Sequence, residues 1–178
     1  MSPASTIGLA LAAALSMLVV APASAGGDTA FFDRVVGQWS GPGEIVAGKY
    51  KGTKFNCTLT GEPHGNEVGM ALEGTCRVGI FSQKMRADVT KQGVTYKGAF
   101  LDGAKGKGLD IISGNVDGNQ MVVGLDRKQL KGAMIAKLDG RDKMNISISV
   151  RVADDLVPVL GMRLARGEAT IKQTALEQ

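Results

Sequence analysis

Histidine, tryptophan and cysteine are nearly missing from this 178-residue chain, which has one His, one Trp and two Cys. A single histidine leaves one poor candidate base for nucleophilic catalysis, which needs a nucleophile, a base and an orienting group together. Two cysteines and His64 fall short of the roughly four N or S ligands of a structural zinc, and no pair of them has ligand spacing. Aromatic residues make up only 4% of the chain, too few for the stacking platforms that hold single-stranded nucleic acid. The net charge of +4 is a slight excess, so nucleic acid is not an expected partner on electrostatic grounds either. No apolar run reaches the roughly 20 residues of a comfortable membrane span. With 44% hydrophobic and 21% charged residues, composition is that of an ordinary globular domain, which excludes disorder, collagen and coiled coil.

The first 25 residues contain no charged side chain. Within them Ile7 to Val20 form an apolar run that leads into Ala21, Pro22 and the small triplet Ala23-Ser24-Ala25, the A-x-A form that signal peptidase cuts. Residues 1–25 read as a secretory signal, with only the α-amine supplying positive charge before the run, and residues 26–178 as a single domain. No cysteine precedes Cys57, so no thiol near the cut can carry a lipid anchor. The expectation is a periplasmic or secreted protein of the cell envelope, soluble after cleavage near Ala25. An oxidising compartment favours a structural disulfide, so Cys57 and Cys76 are expected to pair. Their loop of about 20 residues is worth roughly 3 kcal/mol in the loop-entropy model.

What the sequence does have is one helical patch followed by period-2 alternation almost to the end. Asp28 is placed to cap a short helix in which Phe31, Phe32, Val35 and Val36 share a face, and Gly37 ends it. The clearest strand is 144–152, where Met144, Ile146, Ile148, Val150 and Val152 alternate with Asn145, Ser147, Ser149 and Arg151. Similar alternation runs through Phe55/Cys57/Leu59, Val68/Met70/Leu72/Cys76/Val78, Phe81/Met85/Ala87/Val89, Val94/Tyr96/Phe100, Leu109/Ile111, Met121/Val123/Leu125, Leu130/Met134/Ala136/Leu138 and Leu160/Met162/Leu164. Asp102-Gly103, Asp117-Gly118, Asp126-Arg127 and Asp139-Gly140 separate the later runs as hairpin turns. Counting 38–47 as the first strand, the chain has about ten. The expected fold is all-β, an up-and-down antiparallel barrel of about ten strands with a short N-terminal helix closing one end, because closure buries the alternating face and removes the edges. A β-sandwich is the competing arrangement.

The segment Gly37-Gln38-Trp39-Ser40-Gly41-Pro42-Gly43, a Gly-x-Trp after a short helix, resembles the opening of calycin-type proteins, the lipocalin-like superfamily. That resemblance implies a basic residue from the last strand packed over the tryptophan at the closed end. Arg166 fits this role by sharing the parity of Leu160, Met162 and Leu164, which would set a guanidinium over the Trp39 indole in a cation–π contact. The longer glycine spelling is similar to ten-stranded nitrobindin-type barrels, whose haem is held by a late histidine. This chain lacks that histidine, since His64 lies in a turn before the third strand, so haem does not carry over and no cofactor is expected. Export, Gly-Gln-Trp and a downstream disulfide also resemble the small periplasmic metalloprotease inhibitors, though the chain is long for that fold and its Trp-to-Cys spacing is wider.

The remaining motifs read as local structure. Asp154-Asp155 and Asp139/Asp142 sit at turns, where Asp is favoured for its own backbone bonding. Gly103-Ala104-Lys105-Gly106-Lys107-Gly108 lacks the Gly-Lys-Ser/Thr ending and following helix of a phosphate cradle. Methionines are more informative, because flexible thioethers suit an adaptable apolar cavity, with core filling as the plain alternative. A ten-strand barrel is also wider than the roughly eight-strand case that side chains just fill. We therefore expect Met70, Met85, Tyr96, Phe100, Met121 and Met134 to line a cavity for a small apolar or amphipathic molecule. In a meander alternate loops share an end, so Lys49, Lys51, Lys105, Lys107, Arg127 and Lys128 would form a basic rim opposite the helix. The helix end would hold Glu62, His64, Glu67, Asp117, Asp139 and Asp142. A basic rim suits an anionic head group, an acidic polysaccharide or an anionic membrane surface. The sequence thus predicts a binding protein rather than an enzyme. The rival is a protein-binding module, such as a protease inhibitor or an envelope structural partner, acting through loops or the segment Gly26 to Ala30.

Overall fold

Ten alternating runs with short turns leave the chain one economical way to bury every apolar face, and that closure is what is seen. The structure, a computed structural model, describes residues 25–101 and 109–167. Helix α1 (Ala25–Val35) leads into β1 (Gly37–Ile45), β2 (Lys54–Pro63), β3 (Gly69–Val78), β4 (Phe81–Gln92) and β5 (Thr95–Leu101). The second half is β6 (Leu109–Asp117), β7 (Gln120–Arg127), β8 (Leu130–Asp139), β9 (Lys143–Val152) and β10 (Asp155–Arg166). Each strand pairs antiparallel with the next, and β1 pairs with β10 to close the barrel. The sandwich is thereby excluded.

Register puts the alternating apolar set inside. Met134 pairs with Ile148 and Val123, Ile146 pairs with Met162, and all are buried on the interior. Val94, at the head of the fifth expected run, lies instead in the β4–β5 turn with 99% of its surface exposed. The β7–β8 turn is Lys128-Gln129, two residues later than Asp126-Arg127 suggested, with Lys128 in the left-handed region at φ 54. Asp126 and Arg127 stay in β7, paired with Lys131 and Leu130.

Helix α1 lies at the end that holds the β4–β5 and β8–β9 turns: Asp28 meets Lys91 and Tyr96, and Arg34 donates to the Gly140 carbonyl at 3.0 Å. The turns after β1, β3, β7 and β9 share the opposite end, the mouth. Asp28 does not cap the helix from outside. It is the fourth helical residue and is buried, because its carboxylate is taken by partners from the barrel.

Candidate functional site

The closed end is fastened at two points. At the first, Asp28 accepts from Lys91 Nζ at 2.6 Å and from the Tyr96 hydroxyl at 2.8 Å. An anion in the first turn is also favoured by the helix dipole. The Phe32 ring stands 5.6 Å from the Tyr96 ring, so the tyrosine is only 1% exposed. This corrects the expectation that Tyr96 lines the cavity: it shares the inward parity, but its place near the strand's start puts it under the helix, outside the cavity wall.

At the second point, Trp39 and Arg166 are direct partners across the β1–β10 seam, with the guanidinium 4.4 Å from the indole centroid. The indole Nε1 donates to the Val35 carbonyl at 2.7 Å. Arg166 donates to the carbonyls of Val36 at 2.7 Å, Arg141 at 3.0 Å and Arg34. Two glycines of the motif have identifiable tasks. Gly37 has φ 111 and leaves room for the Arg166 guanidinium, and Gly43 has no Cβ to strike the Phe55 ring, which would lie 2.2 Å away.

Burial holds the Tyr96 phenol well above its usual value near 10, aided by its hydrogen bond to Asp28 and the charge of that carboxylate. A raised pKa in the folded state means that the unfolded chain gives up this proton first. The contribution of Tyr96 is complete below pH 10 and is lost as pH rises toward the folded-state value. Tyr96→Phe is therefore expected to cost about 1–2 kcal/mol at neutral pH by removing a bond to a charged acceptor. The gap from wild type should shrink above pH 10. Thermal melts of both proteins across that range check it, and a gap that stays constant would refute the coupling.

Above the helix the interior contains two apolar hollows in series. The deeper one has a volume of about 70 Å³; Phe31, Phe32 and Val35 form its floor, and Met70, Met121, Met134 and Met144 are in its wall. The second, toward the mouth, has about 360 Å³ and is lined by Phe55, Leu109, Leu125, Ile148, Val150 and Leu160 among others. Cys76, Met85, Phe100 and Met162 border both hollows and form the neck between them. A dry apolar cavity of about 150 Å³ takes one benzene, so the deep hollow is too small for a ligand of that size. The upper hollow falls within the roughly 300–1,000 Å³ of small-molecule sites. Of the six residues named as a ligand cavity, Met85 and Phe100 border both hollows, Met70, Met121 and Met134 line the deep hollow only, and Tyr96 lines neither. The roomier site uses Leu109, Leu125, Ile148 and Leu160, which sequence reasoning left out. Their signal was present: inward parity combined with position toward the mouth end of each strand.

The upper walls reach solvent. Val78, Phe81, Leu130 and Val152 carry inward parity yet are exposed, and Gln83 stands among them as a polar side chain at the lip. On the rim, Lys49 and Lys51 are exposed in the β1–β2 turn, Lys128 is exposed in the β7–β8 turn, and Arg127 is half-buried at the end of β7. Lys105 and Lys107 lie outside the described residues. The closed end is not the acidic counterpart drawn from the sequence, because folding brings Arg34, Lys91, Arg141 and Arg166 to it beside the acidic residues.

Cys57 and Cys76 face each other on β2 and β3 with their sulphurs at bonding distance, 1.94 Å, and both are buried. Cys57 Sγ also touches Met162 Sδ at 3.7 Å. The one histidine belongs to an outer-wall ion cluster: His64 Nε2 lies 3.0 Å from Asp88, and Arg86 bridges Asp88 at 2.7 Å and Glu73 at 2.5 Å. These hydrogen bonds, Asp88 first, raise the Arg86 pKa further above its already high value. Asp88 and Arg86 have outward parity, so the ion pairs lie on the outer face, although Arg86 also borders the deep hollow. A further hollow of about 550 Å³ lies against the outer wall, with Glu44, Lys54, Asn145 and Arg163 among its lining.

No protein-family model matches this chain, and no curated protein is similar to it. The closed ten-strand antiparallel barrel with its short N-terminal helix is consistent with a calycin-like fold. Among the described residues no helix is long and apolar enough to cross a membrane.

Proposed function

We propose that this is an exported, non-catalytic binding protein of the cell envelope, a barrel of the lipocalin or nitrobindin type. It holds a small apolar or amphipathic molecule in the upper hollow. The observation that carries this reading is the 360 Å³ apolar hollow leading to an exposed apolar lip. An apolar tail would enter there because its surface leaves water. Its polar or anionic head would remain at the mouth, beside Gln83 and the rim lysines. Flexible Met85 and Met162 at the neck would adjust to the length of the tail. The outward position of the His64 cluster supports the absence of catalysis at this site. The paired cysteines suit export to an oxidising compartment. Gly26 to Ala30 lie in α1, anchored through Asp28, which counts against an inhibitor that acts by reaching out with that segment.

The test is native mass spectrometry of mature protein purified from the periplasm of its own host, followed by denaturing extraction. The expected result is a stoichiometric lipid-like mass that Leu160→Trp, which adds bulk to the upper hollow, displaces without unfolding the barrel. Bare protein that also fails to take up an apolar fluorescent probe overturns the reading. So does an intact co-purifying polypeptide, which would put a protease inhibitor or structural partner in its place.

A further inference from the structure

Of the thirteen large apolar side chains exposed among the described residues, nine lie at the mouth end. Ile80 is 93% exposed, Phe81 75% and Tyr50 62%, and Leu130, Val152 and Leu156 continue the ring around the opening. Of the other four, only Val94 is at the closed end, and Ile112, Val122 and Ile135 lie along the wall. Single exposed apolar residues are ordinary, but a patch gathered at one end of a molecule marks a contact surface. The choice of residues sharpens this. Tight turns favour Gly, Asn, Asp and Ser, yet the two-residue β3–β4 turn is Gly79-Ile80 and is followed directly by Phe81.

The charge at this end also leans positive. The described mouth turns, 46–53, 79–80, 128–129 and 153–154, carry Lys49, Lys51 and Lys128 against Asp154, and the strand ends beside them add Lys54, Arg77, Arg127, Lys131 and Arg151 against Glu44, Asp110, Asp126 and Asp155. Lys49 Nζ lies 5.5 Å from the Tyr50 ring centroid, so cation and aromatic are presented together. Apolar tips interleaved with lysines match the two layers of a bilayer surface, acyl boundary below and anionic head groups above. Aromatic rings such as Tyr50 and Phe81 are favoured at that depth.

We infer that the mouth docks on an anionic lipid bilayer, with Ile80 and Phe81 inserted at the acyl boundary and Lys49, Lys51 and Lys128 among the head groups. The upper hollow then opens directly onto the membrane, and an amphipathic molecule passes between bilayer and barrel without crossing water. The purpose of the contact rests on the carrier reading above, whereas its existence rests on the crown of exposed apolar side chains and lysines around the mouth alone.

Co-sedimentation with vesicles of phosphatidylcholine containing phosphatidylglycerol, and with phosphatidylcholine alone, tests it on the mature full chain. Wild type is expected to bind the anionic vesicles, weakly or not at all the neutral ones, and less as salt screens the lysines. Ile80→Glu with Phe81→Glu should weaken binding by about tenfold or more. Val94→Glu, an equally exposed apolar residue at the closed end, should leave binding unchanged. Failure of wild type to bind anionic vesicles overturns the inference, as does an equal loss in Val94→Glu. A wild-type dimer in sedimentation that is lost in the double variant overturns it in favour of self-association. Uptake of an apolar probe from solution, measured on the same proteins, separates the two readings. Vesicle binding without probe uptake leaves docking standing and the carrier reading fallen, and uptake without vesicle binding does the reverse.

Discussion

Trp39→Ala is expected to remove about 3–5 kcal/mol of stability, the usual cost of deleting a fully buried large aromatic. Trp39 is 0% exposed, and its loss also strips the Val35 carbonyl of its donor and the Arg166 guanidinium of its platform. The position matters because the β1–β10 ladder is the one non-sequential pairing in the barrel and is not continuous. Trp39 and Ser40 pair with Arg166 and Ala165, the ladder then skips Gly41 and Pro42, and it resumes at Gly43 and Met162. Proline has no N–H to give, which accounts for part of the gap. The helix, the first strand and the last strand therefore meet at the Trp39–Arg166 pair, while Gly43, Glu44 and Ile45 hold the mouth half of the seam. Trp39→Phe keeps a ring beneath the guanidinium but leaves Val35 unpaired, for about 1–3 kcal/mol. Arg166→Lys keeps the charge but not the planar fork that reaches three carbonyls, and should cost on the order of 2 kcal/mol. Urea unfolding followed by far-UV circular dichroism measures all three, since Trp39 is the only tryptophan and its loss silences fluorescence. A Trp39→Ala protein within about 1 kcal/mol of wild type would show that the seam closes without this pair.

Strand alternation made the barrel legible, and parity sorted Met134, Ile146 and Met162 to the interior as observed. Parity says which way a side chain points but not how far along the axis it lies. Tyr96 is the instructive case, since its inward direction placed it with the cavity residues while its height placed it under α1. The same blindness to height hid the upper hollow, because Leu109, Leu125, Ile148 and Leu160 look like ordinary core in the alternation. It also hid the crown. Val78, Phe81 and Val152 continue the apolar parity of β3, β4 and β9 past the point where the barrel covers them, so exposed residues resemble buried ones in sequence.

Local rules failed where tertiary partners took over. Asp28 has the residue type of a helix cap, but Lys91 and Tyr96, more than sixty residues away, captured its carboxylate and drew it into the barrel. The β7–β8 turn escaped the Asp-x rule because Lys128 itself adopts the left-handed conformation. The closed end is less acidic than its loops alone suggest, because α1 and the strand ends bring arginines and lysines to the same surface. The glycine motif that carried the family resemblance proved readable in physical terms, as room for Arg166 and for the Phe55 ring.

Replacing both cysteines, as Cys57→Ala with Cys76→Ala, should lower stability by about 3 kcal/mol in the loop-entropy model. The bridge closes a sequence separation of 19 residues, and the corresponding fall in melting temperature is on the order of 10 °C for a domain of this size. The penalty falls on the unfolded state, so the barrel itself should keep its fold below the new midpoint. Alanine is the better replacement here, because a serine hydroxyl would enter an apolar neck without a partner. Cys76 and Met162 border both hollows and Cys57 touches Met162, so removing the sulphurs also widens the neck. An apolar probe should therefore still bind, with the deeper hollow more accessible to it. Adding a reductant to wild type should lower the melting temperature by the same amount and leave the double variant unmoved. If thiol titration shows both cysteines reduced while the melt stays where it was, the cross-link contributes nothing and the stability lies in the strand pairing of β2 and β3 alone.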